Sequence, residues 1–105
     1  MDGGSIGVHL VDSKGQAQSF ALQVDAGAER SYSRLFAGAT HSTKPGAVEI
    51  PFSIDTRRML ILWIDEHRNS ADSSDLALLY LRGNVRDYAH VVISGLAKLS
   101  QQVFR

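Results

Sequence analysis

The sequence predicts an α+β domain, a five-stranded antiparallel sheet in the order β-β-α-β-β-β-α with a helix on each face. Three observations carry this expectation. Two segments near the N-terminus alternate apolar and polar residues, the mark of strands with one buried face. Two later segments, Met59–Ile64 and Leu76–Leu81, are almost continuously apolar, as central strands covered on both faces are. The final stretch, Tyr88–Phe104, places Tyr88, Val92, Leu96, Leu99 and Val103 on one broad apolar arc at about 100° per residue, the pattern of a helix lying on a sheet.

In chain order, the first strand is Ile6–Val11, with Ile6, Val8 and Leu10 on one side. The second is Ser19–Val24, with Phe20, Leu22 and Val24 on one side. Asp12–Gln16 between them is a hairpin loop, and Gly15 supplies a left-handed backbone position. Ala28, Tyr32, Leu35, Phe36 and Ala39 then recur three and four apart, which makes Ala28–Ala39 a helix. Asp25 caps its start, and Thr40–Gly46, ending Lys44-Pro45-Gly46, stops it. Val48, Ile50, Phe52 and Ile54 restore a period of two. Pro51 lies inside that strand and cannot donate a ladder hydrogen bond, so the strand is expected at a sheet edge. Glu66–Asp75, polar and serine-rich, is read as the loop joining the two apolar strands. Asp87 is placed to cap the closing helix.

A hairpin, a crossing helix, a three-stranded meander and a closing helix resemble the profilin-like group, which includes the longin and roadblock domains, and more loosely the PAS core. The resemblance lies in element order over most of the chain. It implies a sheet order of 2-1-5-4-3, with the Pro51 strand at an edge and the two most apolar strands inside. Members of such a group serve as adaptors, sensors and actin binders alike, so fold alone does not choose a function.

Composition narrows the function classes. The 105 residues form a single domain, 1–105, able to bury roughly two-thirds of its surface without metal or disulfide. Eleven acidic residues balance eleven lysines and arginines, so no overall field draws the chain to nucleic acid or anionic lipid. There is no cysteine, which removes thiolate nucleophiles, zinc knuckles and iron–sulfur clusters and fits a cytoplasmic protein. The N-terminus has no signal-peptide pattern, and the longest apolar run is far short of the roughly 20 residues that span a bilayer.

Catalytic motifs are sparse. No Gly-x-Ser-x-Gly elbow and no nucleotide-binding glycine fingerprint is present. Asp65-Glu66-His67 could begin a metal or acid–base site, but no second pair at ligand spacing accompanies it. No metal and no cofactor is expected. Trp63, Phe52, Tyr32 and Tyr80 read as core, and His41 and His90 as surface positions.

Charge is distributed unevenly. Antiparallel neighbours would bring Arg57 and Arg58 beside Arg82, with Arg86 one turn away, while Asp65, Glu66, Asp72 and Asp75 gather at the other end. The arginine fork suits carboxylate or phosphate, so Arg57, Arg58, Arg82 and Arg86 are the candidate anion-binding residues. The leading functional expectation is a non-enzymatic protein–protein interaction module, a homodimer or a subunit of a larger assembly. The alternative is a small-ligand or anion-binding sensor with its site at the Arg-rich end.

Overall fold

The computed structural model describes residues 3–36, 41–44, 47–69, 71–83 and 88–95. The elements are β1 (Gly3–Asp12), β2 (Ala17–Asp25), α1 (Gly27–Phe36), β3 (His41–Lys44), β4 (Ala47–Pro51), α2 (Ile54–His67), α3 (Ala71–Gly83) and β5 (Tyr88–Ser94). The sheet runs β2-β1-β5-β4-β3, four substantial antiparallel strands with the four-residue β3 at one margin.

The expected β-β-α-β-β-β-α architecture, with a helix on each face, is overturned. Both apolar runs that read as central strands are helical, and Tyr88–Ser94, read as the first half of the closing helix, is a strand. Glu66–Asp75 is not one loop: it holds the end of α2, a short link and the start of α3. The rest of the expected closing helix, 96–104, lies outside the described residues.

The β1–β2 hairpin is built by alternation. Ile6 faces Leu22 and Val8 faces Phe20 across the ladder, and all four are buried. The Asp12 carboxylate accepts the Lys14 and Gln16 N–H groups, both at 2.9 Å, and Gly15 at φ 86° completes the turn. At the far end of β2, the Asp25 carboxylate accepts the Gly27 N–H at 2.9 Å and starts α1.

Helix α2 shows why a continuous apolar run need not be a strand. Ser53, extended at φ −146° and ψ 174°, accepts the Thr56 N–H on its hydroxyl at 3.1 Å, an N-cap that begins the helix before the run is reached. Its buried residues, Thr56, Leu60, Trp63 and Ile64, then fall on a helical stripe. In α3 the buried residues Ser74, Ala77, Leu78 and Leu81 do the same. In β5, by contrast, Val91 and Ile93 are buried while His90 and Val92, which alternate with them, are half-exposed; β-branched residues favour that pleated surface.

Pro51 is not on an edge strand. β4 lies between β5 and β3, and its pairing with β3 reaches only from Ala47 to Glu49. The Phe52 N–H bonds to Ala89 O of β5 at 3.1 Å, so the position before it faces away from β5, where the described β3 pairing no longer reaches and a missing donor costs no ladder bond among the described residues.

One core joins helices and sheet. It contains Ile6, Val8, Leu10, Phe20, Leu22, Val24, Ile50, Val91 and Ile93 from a single face of the sheet, with Phe36, Leu60, Trp63, Ile64, Leu78 and Leu81 from the helices. Trp63 anchors α2 to α1. Its indole N–H donates to Ala28 O at 2.8 Å, and its ring lies 5.6 Å from Tyr32 and 6.0 Å from Phe36. Where α2 ends, Arg68 bridges Val24 and the Asn69 N–H donates to Gln23 O at 2.8 Å, so part of the free edge of β2 is covered.

Candidate functional site

Helices α2 and α3 form an antiparallel hairpin whose ends carry opposite charge. At the open end, Arg57 donates through Nε to Leu81 O at 2.8 Å and through Nη2 to Arg82 O at 3.2 Å, closing the C-terminus of α3. At the linked end, Arg68 pairs with Asp75 and, at 3.7 Å, with Asp65. The structure therefore brings Arg57 to Arg82, through helices rather than strands. Arg58 and Arg82 are exposed; Arg86 lies outside the described residues. Glu66 adds another carboxylate to the linked end, and Asp55 is the opposing charge at the open end.

Between these ends the outward surface is apolar. Leu62 is 59 % exposed, Leu76 54 % and Leu79 68 %. Leu62 lies midway between Arg57, level with the end of α3, and Arg68, level with Asp75. On α3, Leu76 and Leu79 lie three residues apart, about one turn, on the exposed side of the helix. Ile54, 69 % exposed, stands at the open end. Large aliphatic side chains grouped on a surface mark an interaction site more often than the same residues scattered singly do.

A second constellation gathers around His67. Its ring Nδ1 is 2.8 Å from Asp25 Oδ1 and its Nε2 is 2.9 Å from Ser31 Oγ. The consistent tautomer donates from Nδ1–H to the carboxylate and accepts the Ser31 hydroxyl proton on Nε2. The order of groups matches a nucleophile, base and orienting acid. The cluster faces inward, however: Ser31 is only 9 % exposed, and the His67 side chain 13 %. What this arrangement does in the fold is join the end of β2, the start of α1 and the end of α2. Sequence reading missed it, because Asp25 was only a cap and His67 a loop residue. A histidine at the close of a helix, facing a capping aspartate, was the available signal.

On the opposite face of the sheet, His9 lies between Ser19 and Ser94, with Nδ1···Oγ 2.8 Å and Nε2···Oγ 3.0 Å. Gly7 makes room for it: a Cβ there would stand 2.8 Å from His9 Nε2 and 2.6 Å from Ser94 Oγ. His90 pairs with Glu49 at 3.1 Å on the same face. Among the described residues no group of three or more histidines and carboxylates is placed to hold a metal ion, and no helix is long and apolar enough to cross a membrane.

No family model, no curated protein and no solved structure matches the chain. The α2–α3 face is the arrangement with the clearest physical consequence, because Leu62, Leu76 and Leu79 are large apolar side chains more than half exposed on it.

Proposed function

We propose that this protein is a non-enzymatic interaction module that self-associates through the outward face of α2 and α3. The observation that supports it is the exposed trio Leu62, Leu76 and Leu79 set between an arginine end and a carboxylate end. A two-fold contact is self-complementary. Stacked antiparallel, each copy sets its Arg58 and Arg82 over the Asp65 and Asp75 of the other while the leucines meet in the middle. Charge then fixes the orientation and apolar burial supplies the affinity.

The helices are each about 20 Å long, so the contact lies at the small end of specific interfaces, and the dimer is a weak, reversible one. A cytoplasmic setting goes with this reading; the absence of cysteine is the observation behind it. Sedimentation velocity over a concentration series tests the proposal. The expected result is a monomer–dimer equilibrium in the micromolar range that weakens as salt is added. A strict monomer at high micromolar concentration and low salt overturns it.

A further inference from the structure

Beyond the core layer, where α3 ends against the sheet, lies a cavity of about 210 Å³ lined by Asp12, Gln16, Ala17, Gln18, Tyr80 and Tyr88. Its walls are held from behind. A register shift between Val11 and Asp12 puts Asp12 opposite Tyr88. The Asp12 carboxylate is fixed by the two backbone N–H groups of the β1–β2 turn. Tyr80 packs on Phe20 at 5.6 Å and Tyr88 on Phe52 at 5.6 Å, and the two tyrosine rings are 6.5 Å apart at 42°. The Tyr80 hydroxyl donates to Gln18 Oε1 at 3.3 Å.

This lining combines one carboxylate, two phenol rings and two carboxamides, and no basic side chain is among the described lining residues. Arg57 spends its guanidinium on the carbonyls of Leu81 and Arg82. Arg82 follows Tyr80 by two residues, about 200° around the helix, and so projects from the far side of α3. Aromatic rings beside a carboxylate attract an organic cation, the rings through their negative faces and the carboxylate through its charge. The volume is below the roughly 300–1,000 Å³ of pockets that enclose drug-sized molecules. It suits a head group on a slender chain.

We propose that this cavity binds an alkylated ammonium head group. Asp12 supplies the counter-charge, and Tyr80 and Tyr88 form the apolar walls. The site stands at the end of the sheet where an anion site was expected, but the chemistry of its lining favours the opposite charge.

The test is an amide-resolved NMR titration of the full chain with choline, with its neutral isostere 3,3-dimethylbutan-1-ol and with inorganic phosphate. The expected result is saturable shifts at Asp12, Gln18, Tyr80 and Tyr88 with choline, and binding about tenfold weaker for the isostere. Asp12→Asn, whose side-chain oxygen can still accept the turn N–H groups, should weaken choline by a similar factor while leaving the rest of the spectrum unchanged. Tyr80→Leu should weaken it as well. Absence of saturable shifts with choline, equal binding of the isostere, an unaffected Asp12→Asn variant, or phosphate displacing choline in its effect on these amides would each overturn the proposal.

Discussion

Leu60 and Leu62 are two residues apart on α2, and Leu78 and Leu79 are adjacent on α3. Leu60 is fully buried and Leu78 is 2 % exposed, while Leu62 and Leu79 are 59 % and 68 % exposed. Residue type and helix are the same within each pair; only the phase around the axis differs. The inward leucines are explained by the core they fill. Their outward neighbours fill no part of the core formed by the described residues, which is why they carry the functional proposal.

The largest effect should come from the inward side. Leu60→Ala removes a fully buried side chain beside Trp63 and Ile64, and chemical denaturation should show a loss of about 2–5 kcal/mol. A loss below about 1 kcal/mol would mean that the helix layer is not packed as described.

His67 closes the inward side at the end of α2, and His67→Ala strands the Ser31 hydroxyl and removes a partner from Asp25. A cost of roughly 1–2 kcal/mol is expected in the same measurement. The value stays modest because the Asp25 side chain, 42 % exposed, can still be hydrated.

On the outward side, the pair Leu62→Lys and Leu79→Lys should change monomer stability by no more than about 0.5 kcal/mol each. The sedimentation profile should nevertheless become that of a monomer at all concentrations. If stability falls as it does for Leu60→Ala, the contrast between the two faces fails.

The last effect, a gain rather than a loss, concerns Tyr32, whose hydroxyl is buried with no hydrogen-bond partner among the described residues. Tyr32→Phe should be neutral or should stabilise by up to about 1 kcal/mol, because it removes a desolvated polar group. Burial pushes the Tyr32 phenol above its ordinary value of 10.0. The folded state therefore keeps a proton that the unfolded chain gives up, and above about pH 10 stability falls as pH rises. A pH series of melting temperatures should show that alkaline slope, and Tyr32→Phe should flatten it.

How much of this was legible in the sequence depended on the element. The β1–β2 hairpin could be read because period-two alternation flanks a polar loop containing Gly15. The face of α1 could be read from Tyr32, Leu35 and Phe36. Met59–Ile64 could not, because six consecutive apolar residues have no period; the deciding information lay outside the run, in Ser53 and Thr56. Tyr88–Ser94 was misread because its residues also fit a helical arc, whereas the β-branched Val91-Val92-Ile93 run weighs toward a strand. The approach of Arg57 to Arg82 was legible despite the wrong secondary structure, since any antiparallel hairpin brings those positions together. Ser31, His67 and Asp25 come from three separate elements, and no local pattern links them.

The place of β5 has a consequence for how the protein forms. It is the latest of the described elements, yet it sits between β1 and β4 and, among the described strands, is the one that joins the β1–β2 hairpin to the β3–β4 hairpin. During synthesis both hairpins leave the ribosome before the strand that unites them, each with an unsatisfied inner edge. The pairing of Gly7 with Ser94 spans most of the chain, a high-contact-order closure that slows the completion of the sheet. Among the described strands, the sheet is therefore complete only once this one short segment has paired with both half-sheets.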